Sequence, residues 1–232
     1  MKIFLNNRII EFVTSFPEVS LPSDLVIPYE SPGKLSEVWK NFERYEKFRN
    51  LVIVDAGCGM RDAGYGMRDT GSWMQDAETA FDAFLSLFRF IPAAGGLVKN
   101  ELGEFLFIHR LGHWDLPKGK INKKDYKNQA SDPADPVSAR NAAIREVKEE
   151  TGLKSVTITR QLPSTWHIYT TKEKQILKQT FWFEMEANSS QTLKPQTSEG
   201  IFLVKWTSPA AIHCILSHTY ASIRELLLET IF

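Results

Sequence analysis

The chain has 232 residues, 43% apolar and 24% charged, with 28 basic and 28 acidic side chains. That length suits one large domain or two small ones, and a formal net charge of zero excludes the global basic field that gathers nucleic acid. No apolar run approaches the roughly 18 residues of a membrane span, Met1-Lys2-Ile3-Phe4-Leu5-Asn6-Asn7 turns polar too early for a signal peptide, and two isolated cysteines, Cys58 and Cys214, fit a reduced, cytoplasmic protein.

In chain order, apolar runs at 2–5 and 8–13 flank Asn6-Asn7 and predict a hairpin. Leu35 to Arg49 has helical spacing, and Leu51-Val52-Ile53-Val54 is a short buried strand. From Asp76 to Phe88 the residues Ala80, Phe81, Phe84, Leu85 and Phe88 form one apolar stripe, the mark of a helix packed on a core. Strands follow near 90–99 and 103–109 around Asn100-Glu101. After a loop and an acidic helix come strands near 154–162, 175–187 and 201–206, then helices near 208–217 and 220–230. Trp182 and Phe183, inside an apolar run, belong to a sheet core, whereas Trp114, Trp166, His167 and Tyr169 are candidates for stacking a base or meeting a phosphate.

Between the first strands and the aromatic stripe, Gly57-Cys58-Gly59-Met60-Arg61-Asp62-Ala63 is followed by Gly64-Tyr65-Gly66-Met67-Arg68-Asp69-Thr70, and Gly71 begins a third copy. The codons GGA TGC GGG ATG CGG GAT GCG encode the first copy, and they are the string GGATGCG written three times. Two base changes in the next three units give Tyr65 and Thr70. The repeat therefore reads as a nucleotide-level expansion, and residues 57–72 are expected to form a flexible Gly-rich loop. No Gly-Lys-Ser/Thr follows, so it is not a phosphate-binding loop.

The richest segment is Ala142-Ala143-Ile144-Arg145-Glu146-Val147-Lys148-Glu149-Glu150-Thr151-Gly152-Leu153. On a helix Glu146, Glu149 and Glu150 fall within an arc of roughly 100°, while Ile144, Val147 and Thr151 lie on another stripe suited to a core. Like charges at this spacing repel by about 0.2–0.5 kcal/mol per pair, and a hard divalent cation reverses the sign. Arg145 lies about 40° around the helix from Glu149, placed to orient a carboxylate. Upstream, Trp114-Asp115-Leu116-Pro117-Lys118-Gly119-Lys120 is a turn carrying two cations.

Together these segments resemble the Nudix hydrolase family, whose box runs Gly, five residues, Glu, seven residues, Arg-Glu, an aliphatic, any residue, Glu-Glu, any residue, Gly, an aliphatic. Arg145 to Leu153 matches the second half and Gly119 the start, but 26 positions separate Gly119 from Arg145, twelve more than the pattern holds. Counting forward from Gly119, Asp125 stands where the first glutamate is expected; counting back from Arg145, Val137 does. The polar stretch from Lys120 to Asp135 reads as an inserted loop, and Ser138 or Asp135-Pro136 starts the helix.

The resemblance covers about 90 to 217. It implies an α/β fold, a Nudix-type α/β/α sandwich around a mixed sheet. Residues 1–75 would form an N-terminal α/β extension and 76–232 the Nudix domain. It implies Mg²⁺-dependent hydrolysis of a nucleoside diphosphate-linked or related polyphosphate compound by water attack on phosphorus, with Mn²⁺ as the alternative ion. Glu149 and Glu150 then look like metal ligands, Glu146 like a ligand or base, Arg145 like its orienter, and Gly119 like a carbonyl ligand. Lys118, Lys120 and Trp114 look like substrate contacts, and Glu199 is a candidate late-loop acid. Trp-Asp-Leu-Pro-Lys-Gly is closer to the branches that act on dinucleoside polyphosphates or diphosphoinositol phosphates than to the Pro-Gly-Gly branches; nucleoside triphosphates and nucleotide sugars stay open. The expected partner is such a small molecule, not nucleic acid or membrane, with a homodimer left open. The rival reading is a non-catalytic Nudix-like sensor that binds a nucleotide.

Overall fold

A computed structural model describes residues 1–56, 79–122, 125, 136–172 and 174–232. The expected repeat loop at 57–72, the boundary at 75/76 and most of the insertion lie outside these residues. The chain forms two units, one of residues 1–91 with 166–178 and one of residues 92–165 with 179–232.

The first unit opens as its sequence predicts. Strands β1 (Lys2–Leu5) and β2 (Arg8–Val13) pair antiparallel with Ile3 opposite Ile10, and Asn6 turns the corner at φ 54°. Helix α1 (Pro32–Arg44) is capped by Ser31, whose side chain accepts from the Lys34 N–H, and Pro32 fills its first turn, where the missing N–H costs nothing. It crosses between two parallel strands, β3 (Asp24–Pro28) and β4 (Asn50–Val54), and β4 also pairs parallel with β2. Strand β3 was not anticipated: five residues behind a Pro- and Ser-rich stretch carry no readable period, and pairing with β4 supplies the order. Helix α2 (Ala80–Leu85) is shorter than the spacing suggested, because Ser86 caps it and the chain enters β5 (Arg89–Lys99).

The aromatic stripe is core, as expected. Phe12 meets Phe81 and Phe84 edge-on at 5.3 and 5.4 Å between ring centroids, and Trp39 meets Phe84 at 5.2 Å. Trp166 belongs here too. It is 6% exposed and sits edge-on to Phe81, on strand β9 (Thr157–Thr171). This corrects its candidacy as a ligand-stacking residue: alternation along β9 turns Trp166 and Ile168 into the core, while His167 and Tyr169 share the opposite face.

The second unit is a mixed sheet with helices on both faces. Its strand order is β11 (Ile201–Thr207), β6 (Phe105–Arg110), β5, β10 (Lys174–Glu186), β9, with the short strands β7 (His113–Asp115) and β8 (Lys118–Lys120) paired to β6 and β5. On one face Ala94, Val98, Leu106, Ile108 and Phe183 pack against helix α3 (Pro136–Thr151). On the other, Leu97, Phe107, Leu116 and Trp182 pack against α4 (Ile212–Leu216) and α5 (Ala221–Ile231). The contact stripe of α3 is Ala139, Ala142, Ala143 and Val147, with Thr151 buried and Ile144 only half-buried. Small residues let the helix lie close to the sheet. Pro136 begins α3 and Ser138 is buried in its first turn, so Ser138 does not precede the helix, while Asp135 lies outside the described residues. Gly152 at φ 80° ends it, its N–H donating to the Lys148 carbonyl at 3.0 Å. Among the described residues no helix is long and apolar enough to cross a membrane.

Candidate active site

Helix α3 packs on strand β8 across Gly119. A Cβ built on Gly119 would fall on the Glu146 carboxyl group, so only glycine lets that side chain lie against the strand. Strand β8 is fixed in turn by β5, with Gly119 opposite Ala94, and the Lys118 N–H donates to Glu150 Oε2 at 2.8 Å. The three carboxylates of α3 thus meet different surroundings. The side chain of Glu149 is 41% exposed, that of Glu146 12% and that of Glu150 2%.

Arg145 organises one side of the cluster. Its Nη1 donates to Glu146 Oε1 at 2.6 Å and to Glu149 Oε2 at 2.8 Å. Its Nε and Nη2 form a bidentate pair with Asp125 at 2.7 and 2.8 Å, and Nη2 also reaches the Lys120 carbonyl at 3.0 Å. Burial works against the charge of Arg145, but Asp125, Glu146 and Glu149 together hold its pKa well above the ordinary value. Asp125, 3% exposed, accepts from the Asn122 N–H, and its own carbonyl accepts from the Asn141 side chain. The forward count from Gly119 therefore finds the residue that meets Arg145, and Val137, the backward candidate, is 36% exposed at the start of α3. The opening of the insertion is not simply a solvated loop: Asp125 is fastened to helix α3.

Arg110, at the end of β6, sits on the other side and had no sequence signal beyond a cation closing an apolar run. Its Nη1 lies 3.8 Å from Glu150 and its Nη2 3.1 Å from Glu199, which brings the late-loop acid to the cluster. Arg110 Nε is buried without a hydrogen-bond partner among the described residues. The Lys118 ammonium is paired with Asp115 and lies over the Trp182 ring, while Lys120 is exposed. Trp114 is half-buried, edge-on to His109 at 5.1 Å.

Burial pushes Glu150 up to about 7, against the opposing pull of Lys118 and Arg110, and burial likewise raises Glu146 despite Arg145. In both, the leading cause is the loss of water around the carboxylate, which the neighbouring cations offset only in part. Its donors are all hard oxygens, the chemistry of Mg²⁺ or Mn²⁺ rather than of a thiolate- or imidazole-seeking ion. Among the described residues no three acidic, His or Cys side chains already converge on one point.

Residues 89–229 match the family model described as NUDIX domain, which runs past the expected limit at 217 to take in α5. Among solved structures, the chain is similar to a C. elegans Ap4A hydrolase binary complex at 25% identity, covering 60% of this chain and 93% of that one with a TM-score of 0.42. It is similar to a MutT protein from Methanosarcina mazei Go1 at 24% identity, covering 61% and 93% with a TM-score of 0.40. It also resembles the NUDIX domain of Shewanella oneidensis NrtR complexed with ADP ribose, at 15% identity, 63% and 92% coverage, and a TM-score of 0.43. With the family model spanning more than half its length and the box residues gathered around Gly119, the chain belongs to the NUDIX domain family.

Proposed function

We propose that this protein is a pyrophosphohydrolase that cleaves a phosphoric anhydride bond in a nucleoside diphosphate-linked or related polyphosphate compound, with residues 76–232 as its catalytic domain and residues 1–75 as an extension. The observation that carries the reading is the α3 cluster, in which Glu146, Glu149 and Glu150 stand beside Gly119 with Arg145 anchored to Asp125. Glu149, Glu150 and Glu146, with the Gly119 carbonyl, would hold a divalent ion, Mg²⁺ or Mn²⁺. When bound, such an ion neutralises phosphate charge and helps to activate water. Glu146, held by Arg145 and largely shielded from solvent, would take a proton from the attacking water, with Arg145 fixing its carboxylate in one orientation. Lys120 and Lys118 meet the phosphate chain, and Trp114 flanks the substrate.

The test is a panel of dinucleoside polyphosphates, nucleoside triphosphates, nucleotide sugars and diphosphoinositol phosphates, assayed with Mg²⁺ for phosphate or mononucleotide release. Turnover of one class supports the reading. Nucleotide binding with no turnover of any substrate identifies a sensor instead. Glu149→Gln and Glu150→Gln should each remove at least about 100-fold of kcat, roughly 2.7 kcal/mol of transition-state stabilisation. Mg²⁺ should raise the melting temperature of the wild type and not of Glu150→Gln; near-wild-type turnover in both variants overturns the assignment.

A further inference from the structure

Asp115 is a buried acid to which the reaction as described gives no part. It is 3% exposed at the end of β7, opposite Ile108 of β6, and its Oδ1 accepts from the Leu116 N–H at 2.8 Å. Its Oδ2 is paired with the Lys118 ammonium across the Leu116-Pro117 turn. That ammonium also lies 5.8 Å from the centre of the Trp182 ring, and the ring is held in turn by its indole N–H, which donates to Thr165 Oγ1 at 2.8 Å. The Lys118 side chain is 12% exposed. A fixed acid and a fixed ring therefore set where one shielded positive charge sits.

The backbone of the same lysine meets the carboxylate cluster. The Lys118 N–H donates to Glu150 Oε2 at 2.8 Å, while Arg110 Nη1 stands 3.8 Å from Oε1. Burial is the first cause of the upward shift at Glu150; the Lys118 ammonium opposes it and Asp115 adds to it, so both charges lie within electrostatic reach of that carboxylate. An ammonium on a flexible four-carbon stem, left without a partner beside a carboxylate that is 2% exposed, moves onto it. A carboxylate neutralised in this way is a poorer ligand for a divalent ion, and a lysine held in this way no longer meets phosphate. The pair with Asp115 prevents both losses, because it satisfies the cation away from Glu150.

We propose that Asp115 is a positioning residue, which tethers the Lys118 ammonium over Trp182 and so keeps Glu150 open to a metal ion. This rests on the pyrophosphohydrolase reading above. Asp115 itself touches no substrate, and it is needed only while Lys118 is present.

The full-length wild type, Asp115→Asn and the charge-balanced double variant Asp115→Asn/Lys118→Met are compared by calorimetric titration with Mg²⁺, and the crystal structure of Asp115→Asn is determined. Asp115→Asn should weaken Mg²⁺ binding about tenfold, with Lys118 Nζ within hydrogen-bond distance of Glu150, because a buried cation without its partner moves to the next acid. The double variant should bind Mg²⁺ within about threefold of wild type, a rescue that a merely structural loss does not give. It leaves neither member of the pair charged and unpartnered, so it keeps the test open if Asp115→Asn does not fold. An unchanged Mg²⁺ Kd in Asp115→Asn, an ammonium still over Trp182 in its structure, or a double variant weakened about tenfold or more overturns the proposal. If the wild type binds no Mg²⁺, the metal reading fails, and the position of Lys118 in Asp115→Asn still decides the tether.

Discussion

Two arginines serve the same carboxylate cluster in opposite ways. Arg145 makes five hydrogen bonds, two of them to Asp125, and its side chain is 16% exposed. Arg110 is 29% exposed, holds one acid at 3.1 Å and another at 3.8 Å, and leaves Nε without a partner among the described residues. A guanidinium whose fork is filled by close protein contacts is a fixed part of the scaffold, while one that is more exposed and held by fewer, longer contacts is freer to exchange an acid for an incoming anion. The difference separates positioning from recognition within one site.

That separation can be broken most severely at Arg145. Arg145→Lys keeps the charge but loses the bidentate fork, and we expect a fall in kcat of at least about 100-fold with about 3 kcal/mol of stability lost. Kinetics and a denaturant titration on the same preparation check both; a variant that melts normally and turns over at wild-type rate removes Arg145 from its positioning role. Asp125→Asn should be milder, about tenfold in kcat and about 1.5–3 kcal/mol in stability, because one charge-assisted pair weakens while Glu146 and Glu149 still hold the guanidinium. Asp125→Glu should recover most of the rate, since the family's pattern carries glutamate at this place; no recovery would make Asp125 an insertion-specific contact. Arg110→Gln should act differently in kind, raising KM about tenfold with little change in the urea midpoint, because little in the fold depends on its fork. If it lowers stability as much as Arg145→Lys does, the two arginines are not distinct. Glu199→Gln, at the exposed end of the same bridge, should change activity by no more than about threefold.

What the sequence revealed follows how local each feature is. The α3 carboxylates, the Asn6 hairpin and the aromatic stripe around Phe84 are legible because period and spacing within one element fix them. Asp125 was half legible: counting from Gly119 reached it, but the inserted residues broke the count from Arg145, and only the bidentate contact decides between them. Trp166 was a candidate ligand contact; the alternation of β9 carries it into the core, on a strand that runs to Thr171, past the expected end near 162. Arg110 gave no local signal. It matters through partners about 40 to 89 positions away, Glu150 and Glu199, contacts that only the fold creates. The unexpected β3 belongs to the same class, ordered by its neighbour β4 rather than by its own composition.

The bond between Asp125 and Arg145 also bears on how such a chain can drift over generations. Asp125 is fixed on one side of the insertion and Pro136 opens the helix on the other, so any gain or loss of codons between them begins and ends at points already pinned. Doubling the length of a closed loop costs only about 0.6 kcal/mol, less than the roughly 1.5–3 kcal/mol typical of a hydrogen bond to a charged group. Variation in that stretch is therefore nearly neutral to the chemistry, and related sequences should differ there in length well before they differ at Asp125.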